Sequence, residues 1–471
     1  MPRKAEPGKR WAPSGTIAGV RGHVARFNHL SRRGAWGRRA VSASAPRIDG
    51  ARLIERIAAF AALGGLANGG VNRPAFSEAD RAARALVATI ATERGFRVFQ
   101  DAVANLFLAR PGAPDVPPLL IGSHLDSQPT GGRYDGALGA LAALSALEAL
   151  EDADIATGVP VELVVWANEE GSRFSPGTMG SEAFARGTLP DLALRDVDGV
   201  TLGAALAATR DALPGAGERP LGFPIAGYLE LHIEQGPILE AAGLPIGTVE
   251  AVQGALWLEV TVTGETAHAG TTPLGARHDA VAALTEALAR LGASVMAADP
   301  AARLTIGRLA SEPDSINAVP RLARCTMDLR HPDAGRLAAM RADVEAAVAA
   351  AAAAHGCSGD IRSLFFAPPT AFDPMMAGAI DAAAARLGLR SMRMVSGAFH
   401  DALPIAGLAP AAMIFVPCRG GVSHNEREHV EPAACIAGAD VLLGAAIEAA
   451  QRLARGASSA DRLQRDKRNS A

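Results

Sequence analysis

The sequence places imidazoles and carboxylates in four short runs that could together hold divalent metal ions. In IGSHLDSQPTGGRYDG, His124 and Asp126 stand two residues apart, and Asp135 follows a Gly-rich loop. A strand's period of two points His124 and Asp126 the same way, so the Asp126 carboxylate can hydrogen-bond the imidazole and fix its tautomer. Gly131 and Gly132 let the chain turn Asp135 back toward His124. Three further runs add donors: Glu169 and Glu170 in WANEEG, His232 in LHIEQG, and His424 in VSHNE. Adjacent acids are costly to bury unless a cation or a proton offsets them. Imidazole and carboxylate together form a nitrogen and oxygen donor set for two divalent ions, zinc or else manganese, cobalt or nickel.

Such groups need strand ends to hold them. Short β-branched runs alternate with long Ala/Leu segments, the pattern of an α/β architecture. Pro118 to Asp126, Val161 to Ala167, Tyr228 to Glu234 and Ala411 to Val416 read as strands, and Gly136 to Glu151 as the helix after the first. Each motif falls at or just past a strand end, where open parallel sheets bind ligands. The texture changes over 239–356. There, Ile246 to Thr263 and Leu304 to Arg330 read as long alternating strands, with helices over Ala276 to Leu291 and Ala334 to His355. The expected organisation is a mixed-sheet catalytic domain sandwiched by helices, built from 48–238 and 357–455. An α+β domain over 239–356 is inserted into it. An insertion that leaves and re-enters a catalytic sheet is placed to act as a lid.

A chain of 471 residues exceeds one ordinary core, and its formal net charge of −3 points to neither a nucleic-acid nor a membrane partner. The expected ligand is a small molecule. Cys325, Cys357, Cys418 and Cys435 lack the spacing of a thiolate zinc site or a redox pair and read as reduced structural thiols of a cytoplasmic protein. No apolar run reads as reaching the ~20 residues of a membrane helix. Residues 1–47 carry eleven Lys or Arg against the single acid Glu6 and read as a disordered basic arm with the composition of a presequence. The charged, Ser-containing stretch 456–471 reads as a disordered tail.

The motifs as a set resemble the dinuclear-metal peptidases, a family that includes carboxypeptidases and aminoacylases. Within it they are most similar to the branch of ureidopropionases, N-carbamoyl-L-amino acid hydrolases and allantoate amidohydrolases. The resemblance spans Ile48 to Arg455 and rests on GSHLDSQPTGGRYDG, NEEGSRF, ELHIEQGP, HAGTTP, INAVP, MDLRHP, SGAFHDA and GGVSHNE, in that order. His232 in ELHIEQGP, where many peptidase relatives carry an acid, points to the carbamoyl branch. The resemblance implies that His124, Asp135 and His232 hold one ion, while Asp135, Glu170 and His424 hold the other. Asp126 then supports His124. Glu169 is implied as general base: two bridged cations acidify a shared water, and an unliganded carboxylate beside it can take the proton and deliver it to the leaving amine.

The resemblance also implies a substrate site. Arg330 and Asn317 of the inserted domain read the substrate's carboxylate, for which an arginine fork is suited. His268 stabilises the oxyanion from the partner subunit, Gln235 bonds the ureido group, and Gly397 and His400 face the substrate. The implied partner is a second copy of the chain, paired through the inserted domain. The implied reaction is hydrolysis of the ureido C–N bond of an N-carbamoyl amino acid, either an α-L form or that of β-alanine, giving amino acid, ammonia and carbon dioxide. The alternatives are allantoate hydrolysis and, behind it, peptidase or aminoacylase activity. The QPTGG wording favours the ureidopropionase and L-carbamoylase side. One departure stands out: Phe399 in SGAFHDA takes a place where these relatives usually carry glycine. An aromatic there bears on substrate choice, not on reaction type.

Overall fold

The computed structural model describes residues 46–114, 116–296 and 299–469. In chain order the first elements are α1 (Gly50–Ala61), α2 (Glu78–Glu93), β1 (Arg97–Gln100), β2 (Leu106–Ala109), β3 (Leu119–His124), α3 (Ala137–Asp152) and β4 (Val161–Trp166). Next come α4 (Met179–Arg186), α5 (Leu202–Asp211), β5 (Gly217–Glu218), β6 (Gly227–Ile233), α6 (Ile238–Ala242), β7 (Ile246–Val252), β8 (Gly254–Thr263) and β9 (Ala267–His268). They are followed by α7 (Ala280–Leu291), β10 (Arg303–Glu312), β11 (Ala318–Val319), β12 (Leu322–His331), α8 (Ala334–Ala354), β13 (Ser358–Ala367) and β14 (Thr370–Ala371). The chain continues through α9 (Pro374–Arg386), β15 (Ser391–Ser396), α10 (Ala402–Ala406), β16 (Ala411–Val416) and α11 (Pro432–Asn469).

The large sheet has ten strands in the order β14-β7-β16-β6-β3-β4-β2-β1-β5, with β15 paired to β7. Its centre is parallel: β3 pairs with both β4 and β6, and β6 with β16. Antiparallel pairs flank it, β2 on β4 and β7 on β16, so the sheet is mixed, as expected. Central strands such as LLIGSH and VELVVW are buried along their whole length, the texture of strands covered on both faces. Helix α3, ALGALAALSALEALED, is apolar nearly all round because it lies between the sheet and the helices α1 and α11. Gly139 permits that closeness, since a Cβ there would stand 2.1 Å from the carbonyl oxygen of Leu231.

The small sheet is antiparallel, in the order β10-β12-β8-β13. Leu258, Val260, Cys325, Met327 and Leu329 turn one face onto α7 and α8, where they meet Leu284, Met340 and Val344. The expected boundaries at 239 and 356 both move. The alternating stretch from Ile246 breaks at Gln253, leaving β7 in the large sheet and only β8 in the small one. Strand β13, beyond 356, pairs with β8, so the small sheet draws on Gly254 to Ala367. Asp279 accepts from the amides of Val281 and Ala282 and starts α7 at Ala280, four residues later than expected, after a 3₁₀ turn at Leu274–Ala276.

Two expectations about the C-terminal region are corrected. Helix α11 continues to Asn469, where 456–471 was expected to be irregular; Ala, Leu, Arg, Gln and Lys there are good helix formers. Its stretch Pro432–Gly456 is also long and apolar enough to cross a membrane by length and composition. The apolarity has another cause here, because Val441, Leu442, Leu443, Ala446 and Ala450 are buried in the core against α9 and α3. Of the expected basic arm over 1–47, all but Pro46 and Arg47 lies outside the described residues. Arg47 bonds Asp440 at 2.7 Å.

Candidate functional site

Parallel pairing of β4, β3, β6 and β16 puts the C-terminal ends of these strands along one edge of the sheet, and every expected donor sits there. His124 ends β3, Glu169 and Glu170 follow β4, His232 is the penultimate residue of β6, and His424 lies in the loop after β16. Asp135 comes from the turn before α3. Gly136 closes that turn at φ 62°, and a Cβ there would stand 2.3 Å from the His124 ring, so only glycine lets Asp135 approach.

Asp135 divides its oxygens. Oδ1 lies 3.0 Å from His232 Nε2 and 3.6 Å from His124 Nε2. Oδ2 lies 3.3 Å from His424 Nε2, and Glu170 Oε2 is 3.3 Å from that same nitrogen. The donor atoms of His124, Asp135 and His232 lie within 4.8 Å of one another, and so do those of Asp135, Glu170 and His424. Backbone carbonyls set the tautomers: His124 Nδ1–H donates to Asp126 O at 3.0 Å, and His232 Nδ1–H to Ile233 O at 2.9 Å. Both Nε2 lone pairs therefore point inward. His124 Nε2 is buried without a hydrogen-bond partner, which is what an imidazole aimed at a cation position looks like. The donor set fits a divalent ion at each end of Asp135.

Asp126 supports His124 differently from the expectation. Its carboxylate is 3.8 Å from the ring and instead accepts the backbone N–H groups of Glu169, at 3.2 Å, and Glu170, at 3.1 Å. It thus orients the acidic pair, while its carbonyl orients the imidazole. Glu169 places Oε2 3.5 Å from His124 Nε2. Burial, with Asp401, Glu170 and Asp135 nearby, holds the Glu169 carboxyl well above the usual range, so it is a strong proton acceptor. Glu170 is pushed up to about 7 by burial and Asp135, although Gln128 donates to it at 2.8 Å. Burial also opposes charge on Asp135, yet the imidazoles of His124, His232 and His424 around it hold it well below the ordinary value. His424 rises to about 9, chiefly through its bond to Asp135.

Several residues at the site were not among those expected. Glu428 accepts the backbone N–H of Tyr134 at 2.9 Å and of Asp135 at 3.1 Å, and its other oxygen lies 3.0 Å from the Ser423 hydroxyl oxygen. Ser423 in turn donates to Asp135 at 2.8 Å. Glu230 lies fully buried, accepting from Ser123 at 2.8 Å and from the Ala402 amide at 2.9 Å. An acid inside the apolar run YLELHI was the available signal for it; Glu428 had none, since EREHVE reads as a solvated stretch.

The expected substrate residues divide into two groups. Gln235 is in the cluster, but its amide donates to Asp135 at 2.9 Å and to Ser423 at 3.2 Å. His400 packs against His232, ring centroids 4.4 Å apart and planes tilted by 59°, and burial holds it well below its ordinary pKa. Arg330 donates to the Gly397 carbonyl at 2.9 Å and grips Asp328 at 2.8 Å. His268 and Asn317 are brought together elsewhere, on the β9–β11 ladder, where Asn317 O accepts from Ala269 and His268 Nδ1 accepts from the Gly270 amide at 3.0 Å. Among the described residues, no hydrogen bond or ion pair links these two to the Asp135 cluster.

Imidazoles and carboxylates converging at the carboxyl edge of a mixed sheet make a site of the hydrolase class. The chain belongs to Peptidase family M20/M25/M40, whose pattern matches residues 120–448. It is 38% identical to an N-carbamoyl-L-amino-acid amidohydrolase of Rhizobium meliloti, over 86% of this chain and 97% of that one. An allantoate amidohydrolase of Bacillus subtilis is 33% identical, over 79% and 90%. A crystal structure of a hydantoinase/carbamoylase family amidase from Burkholderia multivorans superposes with a TM-score of 0.81 at 41% identity, covering 86% of this chain and 99% of that one.

Proposed function

We propose that this chain is an amidohydrolase that cleaves the ureido C–N bond of N-carbamoyl-L-amino acids, releasing amino acid, ammonia and carbon dioxide. The observation that carries the reading is Asp135 shared between two donor sets, with Glu169 beside them, its Oε2 3.5 Å from His124 Nε2. The similarity to the Rhizobium enzyme over nearly its whole length supports the same substrate class.

In this reading His124, Asp135 and His232 hold one divalent ion, zinc or manganese, and Asp135, Glu170 and His424 hold a second. Such ions, when bound, supply Lewis acidity toward water and the ureido carbonyl. Glu169, a carboxylate beside the cluster that holds neither ion in this reading, takes the proton of the attacking water and delivers it to the leaving nitrogen. Asp126 fixes the Glu169 backbone, and Gln235 keeps Asp135 and Ser423 in register while its Oε1 faces the ureido group. Arg330 receives the substrate carboxylate: of five N–H donors, three face Asp328 and Gly397, leaving one on each terminal nitrogen. His268 and Asn317, which among the described residues make no hydrogen bond or ion pair to the cluster of their own chain, serve the site of a partner subunit in a cytoplasmic homodimer formed through the small domain. The four free cysteines agree with a reducing setting.

A second reading, allantoate hydrolysis, is favoured by the Bacillus relative. The deciding experiment is ammonia release by metal-loaded protein from N-carbamoyl-L-amino acids, N-carbamoyl-β-alanine and allantoate, beside a chelated control. Chelator-sensitive turnover of the carbamoyl acids supports the proposal; turnover of allantoate alone replaces it with the second reading.

A further inference from the structure

Arg330 and Asp328 stand two apart on β12 and share one face of the small sheet. Across that sheet Asp328 pairs with Trp257 and Trp257 with Phe365, so an ion pair and two aromatics form one row. The row lies on the face turned away from α7 and α8: Leu256 and Leu258 are buried, whereas Trp257 between them is 40% exposed. The Trp257 and Phe365 ring centroids are 4.7 Å apart. Phe399, from the loop after β15, extends the row, with its ring 5.9 Å from Phe365 and 5.8 Å from the guanidinium carbon of Arg330. The next residue, His400, touches His232. A partly exposed aromatic strip therefore runs from the metal-centre edge past the two spare donors of Arg330.

An N-carbamoyl amino acid has a shape that fits this arrangement. With its carboxylate on Arg330 and its ureido carbon at the Asp135 cluster, an α-substituent branches at the carbon bonded directly to the carboxylate carbon. An aromatic ring on that branch extends roughly 5 Å from the carboxylate carbon, a reach comparable to the 5.8 Å between the Arg330 guanidinium carbon and the Phe399 ring. N-Carbamoyl-β-alanine and N-carbamoylglycine offer no branch and leave the strip open to water.

We propose that Phe399, with Phe365 and Trp257, forms the receiving surface for the substrate's α-substituent, and that this chain takes N-carbamoyl-L-amino acids with aromatic side chains in preference to unbranched ones. This rests on the ureido-hydrolase reading and adds the side-chain class to it. The test compares kcat/KM for N-carbamoyl-L-phenylalanine and N-carbamoylglycine in the wild type, Phe399→Gly, Phe399→Leu and Phe365→Ala. The wild type prefers the aromatic substrate by about tenfold or more, the range a hydrophobic pocket can supply. Phe399→Gly lowers that ratio by about tenfold, mainly through KM, Phe399→Leu lowers it less, and Phe365→Ala moves it in the same direction. A wild type that turns over both compounds without aromatic preference overturns the proposal, as do variants that lower both substrates equally. Inactivity on every ureido compound overturns the hydrolase reading itself, which separates the two failures.

Discussion

Glu428 accepts the backbone N–H of Asp135 at 3.1 Å, so a buried acid that touches none of the candidate donor atoms of the histidines fixes the residue that joins the two donor sets. Its other oxygen holds Ser423, which itself donates to Asp135. Removing an outer hydrogen-bond partner of this kind typically weakens metal affinity by about 10- to 100-fold. Glu428→Ala is expected to do so in a chelator competition titration, and Glu428→Gln, which keeps one acceptor, to do so less. Wild-type affinity in Glu428→Ala would contradict this role.

In the proposed reaction Glu169 carries the proton transfer. Glu169→Gln is expected to lower kcat by about 10²–10⁴-fold with KM nearly unchanged, because only the proton step is lost. Metal content by elemental analysis should remain that of the wild type, since the ion positions are held by the other acids and histidines. Loss of metal in this variant would make Glu169 a ligand instead.

Proton linkage gives a prediction for the metal-stripped protein. Burial and the Asp135 charge raise Glu170 and Glu428 from 4.5 to about 7, and the Asp135 bond raises His424 from 6.5 to about 9. All three bind protons more tightly folded than unfolded, so unfolding free energy falls as pH rises, through 4.5 to 7 for the acids and 6.5 to 9 for the histidine. A cation competes with those protons. The Tm of chelated protein should fall between about pH 5 and about pH 8.5, and the gain in Tm on adding metal should grow over the same range. A chelated Tm that rises with pH contradicts the assignment.

Among the described residues His268 makes no hydrogen bond or ion pair to the Asp135 cluster, and its proposed role in the partner's site predicts complementation. His268→Ala and Glu169→Gln are each expected to be inactive. Co-refolded in equal amounts, they should recover about a quarter of wild-type turnover, because half the dimers are mixed and each mixed dimer has one intact site. No recovery would place His268 outside the partner's site.

Much of this site was legible in the sequence because strand ends are local events. His124, the Glu169–Glu170 pair and His232 each follow a short apolar run, and β3, β4, β6 and β16 fall within two residues of the expected spans at either end. What the sequence hid depends on pairing across long separations. Alternation continues through Gln253, so nothing local tells that β7 joins β16 while β8 joins β12. Glu428 is buried only because the turn before α3 folds over it, 293 residues away in sequence. The apolarity of α11 exceeds what was expected, because a helix packed between sheet and neighbouring helices has little exposed face to mark with charge.

The most direct test of the central claim is to follow N-carbamoyl-L-phenylalanine labelled with ¹³C and ¹⁵N in its carbamoyl group by NMR, with metal-loaded protein. The account predicts labelled ammonium and labelled bicarbonate appearing in equal amounts with free phenylalanine, abolished by chelator and by Glu169→Gln. An unchanged spectrum from protein that cleaves a dipeptide or an N-acyl amino acid would contradict it.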